Sequence, residues 1–140
     1  MWEGLKVVRP EDTLYHLGDF AFSTMKRMME DRWSLMPQCE KIFLEGNHDI
    51  RSKWRRLPWD KVVRKENQPL FLTYKGYKIA MAHWPQKLDD VEADICIHGH
   101  IHNLGLPIYR KNGQKWINVS VEHWNYKPIL LNDLVEKYDE

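Results

Sequence analysis

Residues 94–102 read DICIHGHIH. It begins as a short apolar run, which is typical of a buried strand, and it ends in three histidines within five positions: His98, His100 and His102. A strand that stops at such a cluster presents metal-ligating side chains at its carboxyl end. Two interpretations follow, a metal site at the end of a buried strand or a polar loop rich in histidine, and the rest of the chain must separate them.

The composition describes an ordinary globular chain. It has 140 residues, of which 43% are hydrophobic and 29% charged, and a formal net charge of +1. These values fit a single domain over residues 1–140 and indicate no bulk attraction to nucleic acid or to a membrane. The chain has no signal-peptide core and no apolar run of roughly 18 residues, and it has only two cysteines. We therefore expect a cytoplasmic protein with reduced thiols.

The order of the predicted elements is typical of an α/β fold. Strands are predicted over residues 12–19, 40–49 and 93–100. Hairpins are predicted over 69–85 and 108–122, and helices over 23–36 and 132–138. Residues 52–68 are polar, basic and interrupted by Pro58, so this segment is interpreted as a loop. The pattern predicts a mixed sheet or sandwich with flanking helices.

Four of these strands end in residue types that bind metals. They are Asp19, then Asn47 with His48 and Asp49, then His83, and finally His100 with His102. Ligands gather at the carboxyl ends of strands in open α/β sheets, so these side chains can converge on one point. Carboxylate, amide and imidazole ligands without a thiolate suit Mn²⁺, Fe²⁺, Co²⁺, Ni²⁺ or Zn²⁺ in a site that is not a structural zinc site. The glycines before Asp19, Asn47 and His100 are expected to let the backbone turn sharply.

Four motifs carry a resemblance to a known family. In chain order they are HLGDF, LEGNHD, MAHWP and IHGHIHN, within residues 16–103. Each is common alone, but the set, in this order and at strand ends, resembles the calcineurin-like metallophosphoesterases, in particular a small bacterial and phage branch. The resemblance implies an α/β sandwich that hydrolyses phosphate mono- or diesters with one or two divalent ions, by attack of a metal-activated hydroxide.

The resemblance also implies a role for each matching residue. Asp19 would bridge two metals, and Asn47, His83 and His100 would complete the second metal site. His102 would belong to the first site. His48 would donate a proton to the leaving group as general acid, and Asp49 would orient His48.

One family motif has no counterpart in this sequence. Family members carry D-x-H in a first strand, and no D-x-H precedes Asp19. We therefore expect that strand to be missing and the first site, left with Asp19 and His102, to be weak, empty or completed from elsewhere. With one ion, turnover should be slow on unactivated diesters and better on aryl phosphate esters. The open position beside the strand that ends at Asp19 predicts a homodimer or a rearranged sheet.

A second interpretation stays open, that of a catalytically weak metal-binding remnant or subunit that binds nucleotide or nucleic acid. Trp54 and Trp59 lie among basic residues, a pattern found in binding sites for single strands, but tryptophans that cap the core from a solvated loop are favoured. The His48-Asp49 pair favours an enzyme, because a purely structural metal site has no use for it. His16 and His98 are expected to be core or sheet-surface residues.

Overall fold

The computed structural model describes residues 8–17, 33, 34, 36–46, 57–100, 105–120 and 128–136. Its first sheet has three parallel strands in sequence order: β1 (Thr13–His16), β2 (Glu40–Leu44) and β3 (Lys61–Val63). Because the strands are parallel, all three carboxyl ends lie at the same edge of the sheet.

The second sheet is mixed. It contains β4 (Leu70–Tyr74), β5 (Tyr77–Ala82), β6 (Ile95–His98), β7 (Ile108–Lys111) and β8 (Gln114–Asn118), in the order β4-β5-β6-β8-β7. The central strands β5, β6 and β8 are parallel, while β4 and β7 are antiparallel hairpin partners at the two edges. The parallel centre brings the ends of β5 and β6 side by side.

Tight two-residue turns close both hairpins. Lys75 and Gly76 have φ of 50° and 83°, and Asn112 and Gly113 have φ of 55° and 76°. Two consecutive residues with positive φ match the twist of a two-residue hairpin. Asn-Gly is a sequence type that favours such turns, and both turns lie within the predicted hairpins 69–85 and 108–122.

The main core lies between the two sheets. One cluster of buried side chains joins Leu44 and Val63 of the first sheet to Ile79, Met81 and Ile117 of the second. Alternate residues of the second sheet face the other way, where Ala80, Ala82, Cys96 and Trp116 form a separate buried cluster with Leu88. This alternation gives a two-layer sandwich with a further apolar layer outside the second sheet.

Short helical segments complete the described structure. Two 3₁₀ helices span Lys65–Asn67 and Pro85–Leu88, and an α-helix spans Leu131–Glu136. The α-helix is held to the first hairpin, where the Tyr74 hydroxyl donates to Asn132 Oδ1 at 3.1 Å. Within the described ranges, no helix is long and apolar enough to cross a membrane.

The architecture confirms the expected mixed-sheet fold and corrects one detail. The segment 52–68 is not only a loop, because β3 lies within it and pairs with β2. The charged residues around Val62 and Val63 hide the pattern of this three-residue strand in the sequence. In the structure Val63 is buried, with 5% of its surface exposed. The predicted strands and the 132–138 helix are present with shifted bounds, whereas most of the predicted helix 23–36 lies outside the described residues.

Candidate metal centre

His83 follows directly after β5 and is 2% exposed. Its backbone N–H donates to the Gln68 side-chain oxygen at 2.8 Å, and its ring Nδ1 lies 2.5 Å from the carbonyl oxygen of Leu17. A carbonyl oxygen can only accept, so Nδ1 carries the hydrogen in this contact. In the neutral tautomer with this hydrogen on Nδ1, the lone pair of the ring is on Nε2, on the far side from Leu17.

The ring of His100 lies next to Nε2 of His83. Its Nδ1 lies 3.2 Å from His83 Nε2, and the two rings are 5.0 Å apart between centroids and nearly perpendicular. The backbone of His100 has φ of 69°, a left-handed conformation that residues other than glycine seldom adopt. The sharp turn expected at Gly99 thus falls on His100 itself, and a strained backbone of this kind is a feature often found at functional sites.

The two imidazoles fit a divalent cation. Two nitrogens that each bind one ion at about 2.0–2.1 Å lie roughly 2.9–3.4 Å apart, depending on the coordination angle. The separation of 3.2 Å between His83 Nε2 and His100 Nδ1 falls in this range. The contact between His83 Nδ1 and the Leu17 carbonyl is of the kind that fixes the tautomer of metal-ligating histidines in other proteins.

Other predicted site residues cannot be placed. Asp19, Asn47, His48, Asp49 and His102 lie outside the described residues. Among the residues that are described, no group of three or more His, Cys, Asp or Glu side chains is close enough to hold a metal. The structure therefore brings together two members of the predicted ligand set, His83 and His100.

The described residues that precede Asp19 and Asn47 in the chain are connected to His83 by hydrogen bonds. Leu17, two residues before Asp19, supplies the carbonyl that holds the His83 ring. Glu45, two residues before Asn47, accepts a hydrogen bond at 2.9 Å from Gln68, which also holds the His83 backbone. The segments that precede two of the predicted ligands thus reach His83 from the first sheet.

Comparison with known proteins identifies the family. Residues 2–120 match the calcineurin-like phosphoesterase superfamily domain. The chain belongs to this superfamily. The match confirms the resemblance and the fold class read from the four motifs, and it supports phosphoesterase chemistry at the level of the superfamily.

Two relatives show how far the likeness extends. The uncharacterized protein MJ1445 of Methanocaldococcus jannaschii is 34% identical over 137 residues, which cover 96% of this chain and 69% of the relative. The crystal structure of AQ665, a protein of unknown function from Aquifex aeolicus, superimposes with a TM-score of 0.68 at 28% identity, over 96% of this chain and 81% of the other. Both likenesses extend over nearly the whole chain.

The remaining described histidines occupy structural positions in this calcineurin-like fold. His98 is fully buried, its Nε2 lies 2.7 Å from the Tyr109 hydroxyl, and its ring contacts Trp116. Burial lowers the pKa of His98 and so disfavours the charged form of its ring. His16 contacts Phe43 and Trp59 on the outer side of the first sheet. Both therefore have the core surroundings expected of them.

Trp84 borders the histidine pair. The Trp84 ring lies edge-on to His83 at 4.8 Å and is 6.3 Å from His100, and Lys65 Nζ lies 5.3 Å from the Trp84 centroid. Trp59, by contrast, is 8% exposed and stacks on Phe43. Trp59 thus has the core-capping position favoured for it, and Trp54 lies outside the described residues.

Sequence reasoning missed Gln68 and the Leu17 carbonyl. Neither is a ligand type in a recognisable motif, and a backbone carbonyl has no sequence signature. Gln68 carries one weak sequence signal, since it is a polar residue directly before Pro69, which precedes β4. In the structure Gln68 is 6% exposed.

Proposed function

We propose that this chain is a divalent-metal-dependent phosphoesterase that hydrolyses phosphate mono- or diesters. The observation that carries the proposal is the approach of His83 Nε2 and His100 Nδ1 to 3.2 Å, with the His83 tautomer fixed by Leu17. Membership of the calcineurin-like superfamily supports the reaction class. The proposal requires Asp19 and Asn47 to complete the set of ligands.

The metal's contribution, when bound, is to activate the attacking water and to neutralise charge on the phosphoryl oxygens. Asp19, Asn47, His83 and His100 would hold it, and His102 would serve a second ion beside Asp19. The residue types suit Mn²⁺, Fe²⁺, Co²⁺, Ni²⁺ or Zn²⁺. The chain's own contribution is to orient these ligands, which Leu17 does for the His83 ring.

His48 is the proposed proton donor. As imidazolium it would protonate the leaving oxygen of the ester, and Asp49 would orient it and stabilise its charge. Lys65, next to Trp84 at the border of the histidine pair, adds a positive charge that favours an anionic substrate.

The proposal is tested by steady-state hydrolysis of aryl phosphate mono- and diesters with Mn²⁺, Ni²⁺ or Co²⁺, against a blank containing the metal alone. We expect metal-dependent turnover by the wild type. In His48→Ala, kcat should fall by about 10²–10⁴-fold with metal content unchanged. A histidine outside the ligand set offers the matched control, and His16→Gln should keep wild-type rates.

The leaving group sharpens the test of His48. A phenyl ester needs a proton on its departing oxygen more than a p-nitrophenyl ester does, because phenol is the weaker acid. His48→Ala should therefore lose more activity on phenyl esters than on p-nitrophenyl esters. An equal loss on both would refute proton donation by His48, and a wild type that binds metal but never exceeds the blank would favour the metal-binding remnant.

A further inference from the structure

Gln68 is a buried polar residue in the connection between the 3₁₀ helix Lys65–Asn67 and β4. It is 6% exposed, and its side-chain amide is engaged at both ends. The nitrogen donates to the carbonyl oxygens of Glu45 at 2.9 Å and of Val63 at 3.2 Å. The oxygen accepts from the backbone N–H of His83 at 2.8 Å.

These three hydrogen bonds connect the two sheets at the candidate metal centre. Glu45 and Val63 are at the carboxyl ends of β2 and β3 in the first sheet, where Glu45 N–H also donates to Val63 O at 3.0 Å. His83 is at the carboxyl end of β5 in the second sheet. A single side chain therefore sets the spacing between the end of β2 and the backbone of a proposed ligand.

Two of the contacts that hold His83 connect it to the first sheet, one directly and one through Gln68. Leu17 fixes the ring through Nδ1, and Gln68 fixes the backbone through the N–H. With the ring contact alone, the His83 backbone would lose its defined distance from Glu45, from which the chain continues through Gly46 to Asn47. The pairing of His83 with a ligand from the first sheet would then be less preorganised.

We propose that Gln68 is a positioning residue that fixes the metal ligand His83 against the end of β2, and so sets the affinity for a divalent cation. This inference rests on the proposed function, because it requires His83 to bind metal. Gln68 itself touches neither metal nor substrate in this role.

The chain contains a matched control in Gln114. The Gln114 side chain makes the same pattern of contacts, donating to the carbonyl oxygens of Val91 at 2.6 Å and Ala93 at 3.0 Å and accepting from Trp116 Nε1 at 3.3 Å. Gln114 is at the start of β8, at the opposite end of the second sheet from the carboxyl ends that carry the site. Replacing either glutamine by methionine removes three hydrogen bonds of the same kind while nearly keeping the side-chain length.

The experiment measures the Mn²⁺ dissociation constant of wild type, Gln68→Met and Gln114→Met by titration calorimetry. We expect Gln68→Met to weaken binding by about 10-fold, the lower end of the effect of residues that support metal ligands. Gln114→Met should stay within about twofold of wild type. Equal affinities for the two folded variants, or an equal loss in both, would overturn the proposal.

Two further measurements keep the outcome decisive. If Gln68→Met does not fold, Gln68→Glu takes its place, since glutamate keeps an acceptor for His83 N–H and loses the donor to Glu45 and Val63. Its expected loss of affinity is again about 10-fold, and wild-type affinity would overturn the proposal.

Amide exchange of the metal-free protein separates this inference from the proposed function. We expect exchange of the His83 amide to accelerate in Gln68→Met and to stay slow in Gln114→Met. Accelerated exchange in a protein whose wild type binds no Mn²⁺ would contradict the metal site and leave the tie to His83 intact. Unchanged exchange at His83 would overturn the positioning role whatever the metal does.

Discussion

His98 and His100 stand two residues apart and have opposite surroundings. His98 is the last residue of β6, where it is fully buried and paired with the Tyr109 hydroxyl. His100 lies beyond the strand, in a left-handed backbone conformation, with its ring against His83. The same residue type therefore contributes to packing inside the strand and occupies the position of a proposed ligand just after it.

The two positions differ in whether the histidine is held by packing inside the strand or lies in the proposed metal site after it. Inside the strand, the polar atoms of the histidine must find partners nearby, and burial lowers the pKa of the ring. After the strand, the ring can present a nitrogen to a shared point at the cost of backbone strain. Substitutions at the two positions should therefore affect different observables.

The largest expected effect is on metal affinity at the turn. His100→Ala and His83→Ala each remove a proposed ligand, so the Mn²⁺ affinity should fall by at least about 100-fold, the upper end of the loss seen when a supporting residue alone is removed. Titration calorimetry measures it. His98→Ala is the control and should bind within about threefold of wild type. A similar loss of Mn²⁺ affinity in all three variants would refute the distinction between His98 and the two proposed ligands.

The converse effect is on stability within the strand. His98→Ala leaves a cavity beside Trp116 and an unpaired Tyr109 hydroxyl, so the free energy of unfolding should fall by about 2–4 kcal/mol. Urea unfolding of the metal-free protein measures this. A smaller change than that of His100→Ala would show that His98 is not the structural member of the pair.

A third and smaller effect isolates one hydrogen bond. Tyr109→Phe removes the hydroxyl that lies 2.7 Å from His98 Nε2 and should lower the free energy of unfolding by about 1–2 kcal/mol. Tyr77→Phe, at a position that is 45% exposed, should change it by less than about 0.5 kcal/mol. If the two variants unfold alike, the Tyr109 contact contributes nothing specific.

The smallest effect tests the strained turn. At φ of 69°, alanine at position 100 keeps the steric penalty and glycine relieves it, so His100→Gly should be about 1 kcal/mol more stable than His100→Ala. Both should have lost the metal. Thermal or urea unfolding compares them, and an alanine variant as stable as the glycine variant would refute the strain.

The sequence predicted the parts of the fold that depend on local chemistry. The Asn112-Gly113 turn and the apolar run of β6 can be read from neighbouring residues alone, and both are present. The charged segment that contains β3 could not be read in this way, because a three-residue strand is stabilised by its pairing with β2 and by burial of Val63.

The candidate site likewise has parts that local sequence predicts and parts that it does not. His83 and His100 were predicted from motifs at strand ends, and the structure brings them together. The Leu17 carbonyl and Gln68 depend on the approach of two sheets distant in sequence, which no local pattern encodes. Residues two apart in a strand point to the same face, and the left-handed conformation of His100 explains why its neighbours differ from those of His98.

The most direct measurement is an anomalous-scattering map of crystals grown with Mn²⁺. The proposed site predicts one strong peak within about 2.0–2.3 Å of both His83 Nε2 and His100 Nδ1, with Asp19 and Asn47 completing the shell. A map with no peak between these nitrogens, or with manganese bound only elsewhere, would contradict the metal centre.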